Sequence, residues 1–354
     1  MRILAILTVR DEGAFLLDWL AHHRAAGVTD VLVFSNDCAD GTDAMLDRLA
    51  ELGWVEHHRN PPPHARQGVQ FTALNRAAEL PITRTADWIL PLDIDEFVNV
   101  HVGDRTLPAL IAALPEATAI TLTWRLFGNC GVVAYEDRPV TEQFTRAAPE
   151  VIWWPWRAAM FKTLYRNDAT YAKPGVHRPR APDPARVEAA RWFDGHGREL
   201  PGSFRTRRVF SDFGRPNFGL AQMNHYALGA MESFVLKAAR GRAVHAGDRL
   251  GLDYWVERNL CAEDDRSIAA LAPATAAIRA ELAADARLAA LHAEAVAWRR
   301  ARFAELMATE PSRDLMGRLL AAPPSRPVPR EIALRLMAHA RRAGDRDRAR
   351  NAPY

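Results

Sequence analysis

Apolar residues run without a break over positions 3–9, ILAILTV, and then give way to Arg10, Asp11 and Glu12. A short unbroken run of this kind is what a strand covered on both faces shows. The spacing then changes. Phe15, Leu16, Trp19, Leu20 and His23 recur at helical intervals, and Gly27 supplies a C-terminal stop. DVLVFSN at 30–36 predicts a second strand, and DCADGT a turn in which Thr42 caps a helix carrying Met45, Leu46, Leu49 and Leu52. WVEHH predicts a third strand. The proline-rich loop RNPPPHARQG leads into a helix over 66–80 that Pro81 stops. DWILPLD predicts a fourth strand and AITLTWRLF, at 119–127, a fifth.

This alternation predicts an α/β fold, with a doubly wound, mostly parallel sheet and helices on both faces. Ligands in such sheets bind at the carboxyl ends of the strands. Residues 10–12, 36–40 and 93–96, all rich in charged or amide side chains, fall at those ends. Beyond 127 the pattern loosens. Residues 128–225 are rich in Pro, Trp and Arg, with WWPW and KPGVHRPRAPDP, and suit loops that wall a site. The tryptophans of WWPW read as aromatic core before a sugar-stacking surface. Residues 231–240 predict a helix ending at Gly241. From about 262 to 350 the chain is rich in Ala and Arg, with breaks at Pro273, Pro311 and PPSRPVP, and predicts a helical C-terminal appendage with a basic tail. The expected division is 1–127 for one half of the main domain, 128–260 for the other, and 261–354 for the appendage.

Composition narrows the class. With 354 residues, 49% hydrophobic and 25% charged, the chain can bury a sizeable core, and a net charge of +3 is no nucleic-acid footprint. Cys38, Cys130 and Cys261 are an odd, sparse set, which predicts no disulfide framework and a reducing compartment. The first apolar run is shorter than a leader and lacks a small-residue cleavage site, so it reads as a strand and the chain as cytoplasmic.

The stretch DIDE, 93–96, holds three carboxylates in four positions. Asp93 and Asp95 at i and i+2 of a strand would share a face and reach one divalent cation, Mg²⁺ or Mn²⁺, which removes their mutual repulsion. A solvated acidic turn is the plainer alternative. A phosphatase-type motif would place its Asp pair on the first strand, and a calcium loop would not carry Phe97 and Val98. Neither a Walker A loop nor GxGxxG occurs.

LTVRDEGAFLLDWLAHHRAAGVTDVLVFSNDCADGT followed by DWILPLDIDEF resembles the nucleotide-binding half of family 2-type glycosyltransferases with the GT-A fold, above all the bacterial branch related to the galactan synthase group. WRLFGNCG (124–131) and NHYALGAMESFVLKAARG (224–241) are similar to that branch as well, so the resemblance spans roughly 1–260. It implies that Thr8, Arg10 and Glu12 line the pocket for base and ribose. Asn36 stands where the common pattern has an Asp. Asp93 and Asp95 would hold the metal, His225 would complete its site, and Lys237 and Arg240 would neutralise the leaving diphosphate. On the residues alone, His225 reads as a hydrogen-bonded core histidine. Lys237 and Arg240, three apart on a helix, read as a solvated basic face.

Inverting transfer needs a carboxylate to take the acceptor's proton. Glu142, in PVTEQF, leads the candidates, with Glu96, Asp194 and Asp212 behind it; Glu96 is also placed to orient the metal pair. The expected activity is metal-dependent transfer of a sugar from a nucleotide-diphosphate donor, with uridine as the expected base, to a glycan or other hydroxyl acceptor. Two alternatives stand beside it. One is a non-catalytic sugar-nucleotide or glycan-binding protein. The other is a metal-dependent nucleotidyltransferase, which would carry a Gly-rich basic loop where RDEGAF stands. The basic tail reads as a solvated helix, with an anionic membrane or polysaccharide as its other possible contact.

Overall fold

Nine strands form one sheet in the computed structural model, which describes residues 1–64, 68–240 and 250–350. They are β1 (Ile3–Val9), β2 (Asp30–Ser35), β3 (Glu56–Arg59), β4 (Trp88–Leu92), β5 (Glu96–Val100), β6 (Ala119–Leu126), β7 (Phe161–Arg166), β8 (Trp192–Asp194) and β9 (Ala221–His225). Their spatial order is β3-β2-β1-β4-β7-β6-β9-β5, with β8 beside the start of β6. The first four strands pair in parallel, with Leu4 opposite Asp30 and Ile3 opposite Trp88. The α/β class expected from the hydrophobic pattern is the fold found.

Two differences have physical causes. β7, from the stretch read as loops, lies antiparallel between β4 and β6, so the predicted fourth and fifth strands are not neighbours. Its alternation is interrupted by Lys162, which hides it as a core strand. β5 starts at Glu96, immediately after β4, and pairs antiparallel with β9. The chain therefore reverses at 93–95, and the acids sit in a turn rather than on a strand.

Helices α1 (Gly13–Ala25), α2 (Thr42–Glu51), α3 (Val69–Ala77), α4 (Pro81–Thr85) and α5 (Leu107–Ala113) connect the parallel part. The helix expected over 66–80 is shorter, and its residues 66 and 67 lie outside the described residues. Pro81 opens α4, a position where its missing N–H costs nothing. Later come α6 (Val140–Gln143), α7 (Ser203–Thr206), α8 (Met231–Arg240) and α9 (Leu252–Arg258). The Gly241 expected to stop α8 lies outside the described residues. The C-terminal helices are α10 (Ala272–Ala283), α11 (Ala286–Met307), α12 (Glu310–Ala321) and α13 (Arg330–Arg350).

These last helices do not stand apart. α10 and α11 pack on α1, and α11 also meets α2 and α8. Leu282, Leu288 and Ala295 join the same buried cluster as Leu7, Leu17 and Trp19. A Cβ at Gly13 would lie 2.9 Å from Ala295 Cβ and 3.1 Å from Met45 Sδ, so the first residue of α1 leaves room for α11. α8 and α9 share a further cluster with Leu306 of α11 and Leu319 of α12. The physical core thus crosses the expected boundary at 261.

Cys130 and Cys261 form a disulfide, with Cα atoms 6.0 Å apart across 131 residues of sequence. This corrects the expectation that no disulfide would form and removes the compartment argument drawn from it, since spacing alone cannot show two distant cysteines converging. Gly128 lies against Cys261, where a Cβ would come within 2.6 Å of Sγ.

Beneath β5, His22 and His23 are buried against Phe97. His22 Nε2 meets Val98 O at 2.7 Å, and burial pushes its pKa down to about 4. Below pH 6.5 the unfolded chain gains a proton at this site that the folded chain refuses, so acidification costs stability. His22→Gln keeps a donor for Val98 but cannot titrate. Relative to that variant, the wild type should lose about 2 kcal/mol of stability between pH 7 and pH 5. Urea unfolding at the two pH values checks this, and an unchanged difference would contradict it.

Candidate active site

The turn 93–95 sends its acids in different directions. Asp93 accepts from Gln70 Nε2 at 2.8 Å and from Lys162 Nζ at 2.9 Å, one on each oxygen. Glu96, with no exposed surface, lies 3.2 Å from the same Nζ. Its Oε2 accepts from the Asp93 N–H at 2.8 Å and its Oε1 from Trp124 Nε1 at 2.6 Å. Trp19 Nε1 closes the turn, donating to Asp93 O and Glu96 O, each at 3.1 Å. Burial pushes the pKa of Glu96 up, with Lys162 opposing and the neighbouring aspartates adding to the rise. Burial also acts to discharge Lys162, but Asp93 and Glu96 outweigh it and hold its pKa above the usual value.

Asp95 faces the other way. Its Oδ2 accepts from Lys237 Nζ at 2.7 Å, and the same ammonium donates to Ala227 O at 2.8 Å. His225 Nε2 lies 3.7 Å from Asp95 Oδ1, beyond hydrogen-bond distance. The imidazole rests on Trp124, ring centres 4.2 Å apart, and its Nδ1 is buried without a hydrogen-bond partner among the described residues. Burial raises the pKa of Asp95, but Lys237 and then His225 outweigh it and hold the carboxyl well below its usual range. Burial lowers that of His225, which stays a neutral base.

Asp95 and Lys237 line a cavity of about 460 Å³ at the carboxyl ends of the strands. Arg10, Asp11 and Glu12 form one side of it, Arg240 of α8 another, and Trp298, Arg299 and Arg302 of α11 a third. Arg240 binds Glu12 at 2.6 Å and the carbonyls of Arg10 and Asp11. α8 is thereby tied to the loop after β1.

Several expected residues lie elsewhere. Thr8 is half-buried and outside the lining. Asn36 is buried and cross-links three strands' ends, donating to Val9 O at 2.9 Å and accepting from Asn60 at 2.7 Å. Glu142 is exposed on α6, outside the lining, because that short helix directs Val140 and not Glu142 to the cavity. Glu96 is sealed beneath the turn. Asp194 pairs with Arg198 at 2.8 Å, and Asp212 with Arg208 at 2.9 Å. Acids lining the cavity are Asp11, Glu12, Asp18, Asp95 and Glu305. Lys162 and Gln70 escaped the sequence reading. The only trace of Lys162 is a lone cation in the otherwise mostly apolar FKTLY, and Gln70 left none.

The expected Mn²⁺ or Mg²⁺ fits one pair of these residues and not the other. Asp95 Oδ1 and His225 Nε2 face each other across a gap that a shared cation would close. Asp93 has both oxygens engaged by Gln70 and Lys162. The same-face argument fails because strand alternation does not apply within a turn. A separate group, Asp11, Cys38 and Asp40, has ligand atoms within 4.8 Å of one another. Its oxygens already serve the loop, accepting from the N–H groups of Ala39, Gly13 and Thr42.

Fold and site together define an α/β protein with a cavity lined by both cations and carboxylates at the strand ends of a mixed sheet. Residues 8–185, half of the chain, match glycosyltransferase family 92, and the chain belongs to that family. It is 26% identical over 149 residues to a glycosyltransferase family 92 protein of Oryza sativa subsp. japonica, covering 40% of this chain and 24% of that one. A family 92 protein of Ricinus communis is 28% identical over 27% of this chain and 16% of its own length. The matched segments span a quarter or less of these curated relatives. Among solved structures, S. aureus TarS 1-349 in complex with UDP-GlcNAc shares 17% identity over 47% of this chain and 46% of its own, with a TM-score of 0.29. Glucosyl-3-phosphoglycerate synthase from Mycobacterium tuberculosis, solved with Mn²⁺, UDP and glucosyl-3-phosphoglycerate, shares 18% over 35% and 44%, with a TM-score of 0.25. The family is 92, which corrects the family 2-type resemblance. The quoted motifs mark strand ends and an acidic turn, features of the fold more than of one family.

Lys162→Met leaves Asp93 and Glu96 without their buried cation and should cost about 3–5 kcal/mol of stability. Denaturant unfolding measures it, and a loss under ~1 kcal/mol would show that the triad does not hold the turn.

Proposed function

We propose that this chain transfers a sugar from a nucleoside-diphosphate donor, UDP-linked, to the hydroxyl of a glycan or other acceptor. The observation that carries this reading is the placement of Asp95, Lys237 and Arg240 on one cavity whose volume, about 460 Å³, falls in the range of small-ligand sites. Family 92 membership supports the transferase class.

As the glycosidic bond breaks, negative charge grows on the departing diphosphate, and cations fixed beforehand at that place lower the barrier. Lys237 spends two N–H groups on Asp95 and Ala227 O, which aims the ammonium and leaves a third proton for a phosphate oxygen. Arg240 is oriented by Glu12 in the same manner. Asp95 and His225 would hold a divalent cation, which would supply further positive charge to the diphosphate. Trp124 buttresses both ends of this arrangement, lying tilted against His225 and donating to Glu96.

The seat of Lys237 on Asp95 favours a second reading, in which lysine and arginine carry the diphosphate without a metal. Assays of nucleotide-sugar turnover separate the two. The metal reading expects EDTA to abolish turnover and Mn²⁺ to restore it, with Asp95→Ala and His225→Ala both losing the Mn²⁺ response. Full turnover in EDTA supports the lysine reading. Lys237→Ala should lower turnover about 100-fold while changing donor affinity much less. Failure of every nucleotide sugar tested to release its nucleoside diphosphate would overturn glycosyl transfer itself.

A further inference from the structure

Among the described residues, each cation of the cavity wall has a carboxylate beside it, with one exception. Lys237 sits on Asp95, Arg240 on Glu12, and Arg302 on Glu305 at 2.8 Å. Arg10 is largely exposed, with Asp11 at 3.7 Å. Arg299 of α11 is only 7% exposed, and among the described residues its side chain makes no ion pair and no hydrogen bond. Its guanidinium lies over the ring of Phe15 at 4.5 Å and over that of Tyr135 at 5.1 Å. Its Nε is buried without a partner, and the residue lines the cavity.

A buried guanidinium without an anion is costly, and arginine does not escape the cost by losing its proton. The aromatic faces of Phe15 and Tyr135 return part of that cost and fix the plane of the group, but neither supplies an oxygen to its N–H donors. Burial lowers the pKa of Arg299, while Glu12 and Tyr135 act to raise it. Among the described residues, no side chain offers this guanidinium an acceptor with two oxygens from the cavity side.

We propose that Arg299 is an anion anchor of the active-site cavity and takes phosphate oxygens of the donor's diphosphate. The C-terminal helices, outside the family-matched residues 8–185, thereby complete the donor site. The identity of the ligand rests on the donor reading above; the anchor itself does not. Its preorganisation between two rings is the property that lysine at this position would lack.

Calorimetry with sodium pyrophosphate, UDP and glucuronate in metal-free buffer tests this on the full chain, using wild type, Arg299→Gln and Arg299→Lys. Pyrophosphate and UDP affinity should fall at least about tenfold in Arg299→Gln, with glucuronate binding weak in all three proteins. If Arg299→Gln does not fold, Arg299→Lys decides, with an expected loss of about fivefold. Wild-type pyrophosphate affinity in either folded variant would overturn the anchor, as would no pyrophosphate binding by the wild type. A loss confined to glucuronate would also overturn it, reassigning the site to a sugar carboxylate. Pyrophosphate binding that depends on Arg299, with UDP no tighter than pyrophosphate, would uphold the anchor and sink the UDP-donor reading.

Discussion

One buried ammonium organises the acidic turn. Lys162, its side chain 1% exposed, stands between Asp93 and Glu96, and its buried charge is costly without their carboxylates. Three carboxylates in four residues would otherwise repel one another and open the reversal from β4 into β5. Trp19 and Trp124 lock the geometry from either side, one on the turn's carbonyls and the other on Glu96. Two of the three acids are thereby committed to architecture. The third, Asp95, lines the cavity with Lys237, and His225 lies 3.7 Å from it.

This division of labour changes how the acidic motif is understood. A pair of acids two residues apart suggests two metal ligands. Here the turn separates them, and Asp95 instead lies 3.7 Å from His225 at the end of the neighbouring β9. This proximity is possible because β5 and β9 are hydrogen-bonded neighbours, with Glu96 opposite His225 in register. α8 follows directly from β9 and carries Lys237 and Arg240 over the same opening. α11 closes the remaining side, admitted by the missing side chain at Gly13. The cavity is therefore a product of the whole chain, although the family-matched residues end at 185.

How much of this was legible in the sequence follows from the range of each interaction. The first four strands and α1, α2 and α8 could be read because their apolar spacing is local. Arg10, Glu12 and Asp95 could be placed near one another because topology puts strand ends together, whereas Lys237 and Arg240 entered only through the family resemblance. Lys162 could not, since nothing local tells a buried lysine in a strand from an exposed one. Asn36 and Glu96 look like ligand-binding groups by type, yet their hydrogen bonds are spent on holding strands and a turn. Cys130 and Cys261 meet only through the packing of segments far apart in sequence. Arg299 lies in an Ala- and Arg-rich helix where its neighbours Arg300 and Arg302 look the same, and only the fold singles it out.

The separation of the two aspartates is the claim on which the site rests, and anomalous diffraction at the manganese edge tests it most directly. Crystals soaked with Mn²⁺ and UDP should show one manganese peak bonded to Asp95 and His225, with Asp93 still on Lys162. A manganese ion bridging Asp93 and Asp95, with Lys162 displaced, would contradict the account.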